Sequence, residues 1–232
     1  KVVNVDDLWK NIFSYSDYEK GGQYSASDIV GDLLAVKLRK DNPDIHDMKY
    51  EDKISAFIGS AIHQRAEDWL EKENAFGETN YEAEVKLKFK NISGTADLRI
   101  DGTIILDYKT GKETSIQSKI REINNKKDSS WQKQISIYTY LNHKQNKVEY
   151  GTIGYIAWLC TDSQKHGILE VELLPIQEVV KLLKDFLVAI EGDVNEMEKC
   201  NLCVKFKHRW CGVRSICPKW NADRNLNDVE DW

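Results

Sequence analysis

Two aspartates and a lysine stand inside apolar runs of strand character. In residues 93–112, SGTADLRIDGTIILDYKTGK, the charged groups Asp97, Asp107 and Lys109 are flanked by Ala96, Leu98, Ile105 and Leu106. Charge in such surroundings costs free energy unless something pairs it. The choices are an ion pair, a metal ion or a catalytic centre. Residues two apart on a strand share a face, so Asp107 and Lys109 leave the same side of their strand. Asp97 lies on the preceding strand, across the Asp101-Gly102 dipeptide, a strong hairpin signal. Two carboxylates brought together this way repel unless a cation joins them. A divalent ion such as Mg²⁺ takes oxygen ligands, and a lysine beside it can orient a water or offset charge developing on a phosphate.

Other residues bear on the same chemistry. His63 sits in the apolar, helix-like stretch GSAIHQRAED, with Glu67 one turn later and Gly59 one turn earlier. A lone helical histidine is more often structural than a ligand, but Gly59 would let another element approach closely. Gln134 and Tyr138, in WQKQISIYTYL, are also four apart. They supply a donor, an acceptor, a hydroxyl and a ring, although helices carry such pairs by chance.

These groups need elements to hold them. Residues 6–19 read as a short helix. YSASDIVGDLLAVKLRK reads as one amphipathic helix capped by Ser25 or Ser27. Residues 51–73 place Ile54, Phe57, Ile58, Ala61, Ile62, Trp69 and Leu70 at helical spacing. Three strands follow, YEAEVKLKF, ISGTADLRI and TIILDYK, the first carrying Val85, Leu87 and Phe89 on one side. Residues 129–143 return to a helix, YGTIGYIAWLC and GILEVELL are two more strands, and Pro175 opens a helix that Gly192 stops. The order α-α-βββ-α-ββ-α predicts a mixed sheet flanked by helices.

The chain has 232 residues, 41% hydrophobic and 10% aromatic, enough for a real core. No apolar run reaches the roughly 18 residues of a membrane span, and there is no signal-peptide pattern, so the expected location is cytoplasmic, or the host cytoplasm for a phage protein. The net charge of −5 does not by itself suggest nucleic acid. Its distribution does: residues 109–127 carry six Lys or Arg against two Glu, and residues 199–219 carry six and no acid. A basic track can coexist with an acidic total; ordinary solvated faces are the plainer alternative.

Four of the five cysteines, Cys200, Cys203, Cys211 and Cys217, form C-x2-C-x7-C-x5-C, with Pro218 after the last. Four thiols this close can hold one tetrahedral metal or an iron–sulfur cluster; unligated thiols are the third choice. Cys160 ends an apolar run and reads as a buried core thiol. Phe206, Trp210 and Trp220 among the basic residues suit base stacking, or pack the segment onto the core.

Taken in order, G-x-x-x-H on a helix, G-T-A-D, I-L-D-Y-K-T-G and Q-x-x-x-Y on a helix resemble the PD-(D/E)XK nuclease superfamily in its RecB-like exonuclease branch, over residues 25–217. The resemblance implies an α/β fold with a restriction-endonuclease-like core, a central mixed β-sheet flanked by helices, and a C-terminal cysteine-rich segment. The nuclease core would span residues 1–198, and a basic segment that binds a metal or cluster residues 199–232. By the same resemblance His63, Asp97, Asp107 and the backbone carbonyl of Tyr108 bind Mg²⁺ or Mn²⁺. Lys109 positions the attacking water, and Gln134 and Tyr138 support Lys109 and the nucleic-acid backbone. Glu67 and Glu84 are accessory candidates. The chain is also similar to AddAB-type and CRISPR-adaptation nucleases, which hold a [4Fe–4S] cluster with three late cysteines and one early one. Here no cysteine precedes Cys160, and Leu33, Leu34 and Ala35 stand where the early one would fall, so any fourth ligand comes from the C-terminal group, with His208 also available. Zinc is the alternative occupant. The implied activity is a metal-dependent deoxyribonuclease acting on DNA ends or single strands, with a helicase or recombination partner as a further expectation. Two readings compete with it: an RNA endonuclease of the cap-snatching type, and a non-catalytic nucleic-acid-binding module.

Overall fold

A computed structural model describes residues 23–45, 54–73, 80–198 and 213–219, apart from the side chains of residues 54–56, 67, 69–73 and 214. The helix expected over 6–19 lies outside the described residues, as do Cys200, Cys203, Cys211, Phe206, His208, Trp210 and Trp220. The described residues fall into two compact units. One holds 23–30, 55–73 and 80–181; the other holds 31–45, Ile54, 182–198 and 213–219.

The first unit opens with β1 (Tyr24–Ser25) and the one-turn helix α1 (Ala26–Ile29). Ser25 is the cap: its Oγ accepts from the Asp28 N–H at 3.1 Å, and the Asp28 carboxylate accepts from the Ser25 N–H at 2.9 Å. This reciprocal box closes a single turn. The expected continuous helix is therefore two helices, because Gly31 and Asp32, both poor helix formers, interrupt it before α2 (Leu33–Asp41).

Helix α3 (Ile54–Glu73) precedes a meander of β2 (Tyr81–Phe89), β3 (Ile92–Ile100) and β4 (Ile104–Gly111). Asp101 and Gly102 both have positive φ, 48° and 71°, as the tight hairpin turn requires. Next comes a helix the sequence reading did not anticipate, α4 (Glu113–Asn124). Ile116, Ile120 and Ile123 mark its apolar face, and Ile116 is fully buried. Then follow α5 (Ser130–Asn146), β5 (Ile153–Cys160), β6 (His166–Glu172) and α6 (Ile176–Ile190). The mixed sheet runs β1-β3-β4-β5-β6, with β2 on the other edge of β3. Strands β4 and β5 are parallel, β3–β4 and β5–β6 antiparallel.

Helix α5 is the centre of this unit. Every residue from Ile135 to Asn142 is buried, because the helix lies across β2, β3, β4 and β5. Its polar groups are satisfied internally. The Ser136 and Thr139 hydroxyls donate to the carbonyls one turn back, Gln132 and Ile135, and Asn142 accepts from Arg99 and donates to the Gly102 carbonyl at the hairpin tip. Cys160 is a buried free thiol, as its apolar run suggested.

In the second unit α2 turns Leu34, Ala35 and Leu38 into an apolar cluster with Met197, Val213 and Cys217. Gly192, two residues past α6, donates to the Ala189 carbonyl as the expected stop. Cys217 is a free thiol, 2% exposed.

Candidate active site

The site forms where β3 and β4 part. Their pairing runs from Ile100↔Ile104 to Leu98↔Leu106 and stops there. Asp97 and Asp107 are the next residues on the two strands. With the β3 backbone no longer paired on this side of β4, the Tyr108 N–H donates instead to the Asp97 carboxylate at 2.5 Å. A backbone donor in a sheet must find an acceptor, and here a side chain supplies it. The same bond fixes Asp97 beside β4.

Lys109 leaves β4 on the same face as Asp107, as alternation demands. Its Nζ lies 2.6 Å from Asp107 Oδ2 and donates to Gln134 Oε1 at 2.9 Å. Gln134 Nε2 in turn donates to the Tyr138 hydroxyl at 2.9 Å. Asp107, Lys109, Gln134 and Tyr138 thus form one chain of polar contacts from strand to helix. Gly94 lets the helix in. A β-carbon there would stand 2.5 Å from Tyr138 Cε1, so only a residue without one seats the ring.

The opposite face of β4 meets α3. A β-carbon at Gly59 would lie 3.0 Å from Thr110 Oγ1, so this glycine permits the close approach expected of it. One turn on, the His63 ring tilts over Tyr108, with centroids 5.3 Å apart, and His63 Nδ1 stands 3.6 Å from Asp97 Oδ1. That separation is too long for a hydrogen bond. Burial lowers the His63 pKa from its ordinary value, with Asp107 opposing. The imidazole is therefore neutral near pH 7, and its lone pair can serve a cation.

Burial and the neighbouring Asp107 push the Asp97 pKa up to about 7. The unfolded carboxyl releases its proton near 3.8, so between these values the metal-free folded state holds the extra proton. Metal-free stability accordingly falls as pH rises through this window. Thermal melts in EDTA should show Tm declining from about pH 4 to 7, and Asp97→Asn should flatten the decline. A Tm that is level across the window in the wild type would show Asp97 ionised throughout.

Among the described residues, no three His, Cys, Asp or Glu side chains already stand in a metal-binding group. Asp107 is turned to Lys109. The donor set nonetheless suits a hard divalent cation: a neutral imidazole and two carboxyl groups, of which Asp97 is held protonated by burial and the charge of Asp107.

A family model described as the PD-(D/E)XK nuclease superfamily matches residues 15–218. The chain belongs to this superfamily. The crystal structure of SSO0001 shares its fold, with 19% identity and a TM-score of 0.62 over 93% of this chain and 96% of that one. The alkaline exonuclease LHK-Exo from Laribacter hongkongensis aligns at 13% identity and a TM-score of 0.46, over 82% of this chain and 94% of that one. Its complex with dAMP aligns at 14% and 0.48, over 75% and 90%. No curated protein matches the chain.

Within this PD-(D/E)XK fold, His63, Asp97, Asp107, Tyr108, Lys109, Gln134 and Tyr138 come together as described. Glu84 stands on β2 across from Asp97, exposed. The Glu67 side chain lies outside the described residues. Of the four clustered cysteines only Cys217 is described, in its apolar cluster. The sequence reading missed Gly94 as the seat of Tyr138; its place in G-T-A-D, three residues before Asp97, was the available signal. A cleft of about 260 Å³ also opens beside α3, lined by Ile62, Tyr108, Ala157, Leu159, His166 and Ile168 among others.

Proposed function

We propose that this PD-(D/E)XK protein is a metal-dependent deoxyribonuclease that degrades DNA from its ends. The observation carrying this reading is the polar chain Asp107–Lys109–Gln134–Tyr138 beside His63 and Asp97 where the two strands part. His63, Asp97, Asp107 and the Tyr108 carbonyl would hold Mg²⁺ or Mn²⁺. Bound there, the cation supplies Lewis acidity toward the phosphate and toward the attacking water. Lys109, its ammonium fixed by Asp107 and Gln134, orients that water and offsets charge on the phosphate oxygens. Tyr138 holds Gln134 in place. Lys112, just before α4, and Arg121, Lys126 and Lys127, on α4 and the turn after it, are all exposed and suit a DNA backbone. On this reading the enzyme works in recombination, repair, replication or phage DNA processing, alone or beside a helicase.

End-labelled DNA incubated with Mg²⁺ or Mn²⁺ tests the proposal. Release of mononucleotides from one end supports it; no metal-dependent cleavage removes it. RNA competitor separates it from the cap-snatching alternative, which would be inhibited by RNA and not by DNA.

His63→Ala should weaken metal binding without abolishing cleavage, because water can fill one vacant ligand position. The Mg²⁺ concentration for half-maximal rate should rise about 10-fold or more. An unchanged metal requirement would make His63 a packing residue.

The cysteine segment would, on the same reading, hold a [4Fe–4S] cluster, with zinc as the alternative. Protein purified without oxygen should then contain iron with sulfide, or zinc, and Cys200→Ser should release it. If neither element is found, and Cys200→Ser melts like the wild type, these are ordinary thiols.

A further inference from the structure

The second half of β2 carries lysines whose charge the fold leaves unmatched. Lys86 and Lys88 are exposed on one face of the strand, and Val85 and Leu87 are buried on the other. Lys90 is exposed in the turn that follows, its Nζ 5.6 Å from the centroid of the Phe89 ring. Phe89 meets Tyr140 edge to face, and Lys144 stands over Tyr140 at 5.4 Å, so the basic surface widens at this end. Among the described residues no carboxylate pairs with any of the four lysines.

Lysines on an edge strand commonly serve to block the addition of another strand. Here β2 is an edge strand, but that purpose is met by another residue. The Gln145 side chain accepts from the Lys88 N–H at 2.5 Å and donates to the Lys86 carbonyl at 3.2 Å. It takes the backbone groups that an added strand would need. The same two bonds hold the backbone beneath the lysines in place.

The register ties the row to the candidate active site. Lys86 pairs with Thr95 and Lys88 with Ser93, which are two and four residues along β3 from Asp97. The two lysines are therefore displaced from Asp97 by about 7 and 14 Å along the strand. Each step is comparable to the span of one nucleotide in an extended polynucleotide. On the other side of the point where β3 and β4 part, β4 leads into α4 with its own basic residues. A strand of DNA laid across that point would meet cations on both sides of the cut.

We propose that Lys86, Lys88 and Lys90 bind successive phosphates of the DNA strand on the β2 side of the active site, with Lys144 at the far end of the row. The inference rests on the DNA-nuclease reading above. These contacts go to the backbone and not to base edges, so they hold the strand without reading its sequence.

The test uses the full chain in EDTA, which separates binding from cleavage, and a fluorescein-labelled oligothymidylate followed by anisotropy across a range of NaCl concentrations. In the wild type, log Kd should rise steeply with log salt. The triple variant Lys86→Gln, Lys88→Gln, Lys90→Gln should bind at least about 10-fold more weakly at low salt, and its slope should be smaller by about 2, three phosphate contacts on a single strand at about 0.7 each. The corresponding triple Lys→Arg variant should keep the wild-type slope. An oligonucleotide in which uncharged methylphosphonates replace the phosphates beyond the first should bind wild type and Gln variant alike. The row is misassigned if the Gln variant keeps the wild-type affinity and slope, if the Arg variant loses them, or if the difference persists on the uncharged strand. In those cases the wild type still binds DNA and the nuclease reading stands. If the wild type itself does not bind the oligothymidylate, that reading fails and the row with it.

Discussion

Asp107→Asn should lower cleavage at saturating DNA and metal by roughly 10³-fold or more, with the fold intact. The substitution keeps shape and leaves an amide oxygen to accept from Lys109, whose Nζ lies 2.6 Å from Asp107 Oδ2. What disappears is one negative charge at the point where β3 and β4 part. Two effects on stability follow, of opposite sign. Lys109 loses its charged partner but keeps Gln134 and some access to solvent. Asp97 is relieved of the neighbour that, after burial, most resists its ionisation. Metal-free Tm should hold or rise near pH 7, and the decline of Tm between about pH 4 and 7 should become shallower. Single-turnover cleavage and melts in EDTA measure the two halves. A variant that cuts at the wild-type rate would place the metal elsewhere.

Gly94→Ala should destabilise the protein by about 1–3 kcal/mol and reduce cleavage as well. The added methyl would meet the buried Tyr138 ring, whose nearest atom is 2.5 Å from the new β-carbon, with Ala26 at 3.4 Å behind it. The ring cannot swing freely, since it is 6% exposed. Displacing Tyr138 withdraws the hydroxyl that Gln134 donates to, and Gln134 is what fixes the Lys109 ammonium. The loss in rate should therefore appear in kcat more than in KM for DNA. Denaturant unfolding of Gly94→Ala, Tyr138→Ala and the double variant gives a further check. Removing the ring clears the space for the methyl, so the double variant should be more stable than the two single effects added. Strict additivity would mean that the methyl strains something other than Tyr138.

The parts of the site legible in the sequence were those set by local periodicity. Asp107 and Lys109 share a face because a strand repeats every two residues, and Asp101-Gly102 announced its own turn. The relation of Gln134 to Tyr138 was likewise a matter of helical spacing. Asp97 accepting the Tyr108 N–H was not legible, because it depends on how far two strands pair before they diverge. Helix α4 was missed because its basic residues drew attention as a charge track, although Ile116, Ile120 and Ile123 carried the helical period. The break between α1 and α2 was missed for the opposite reason. The apolar period continues across Gly31, while the box between Ser25 and Asp28 closes the first turn by itself. No local pattern signals the left-handed backbone of Glu84, φ 49°, within β2, since residue type does not favour it there.

The β3–β4 hairpin has a consequence for how the chain folds. Its loop is three residues long, Asp101 to Thr103, so closing it carries little chain-entropy cost, and hairpins of this kind close within about 1–10 μs. Residues 97 and 107 are therefore neighbours long before α5 or β5 can reach them. The earliest durable contact in this molecule sets two like charges side by side at neutral pH, when neither Gln134 nor His63 has arrived. Of the groups later gathered at the site, Lys109 is the cation that the folding hairpin carries within its own strands. A residue retained for its chemistry would thus also act as a folding counter-ion, and stopped-flow refolding of Lys109→Met should be slower at pH 7 than at pH 5, where protonation of one carboxyl replaces what the lysine supplied.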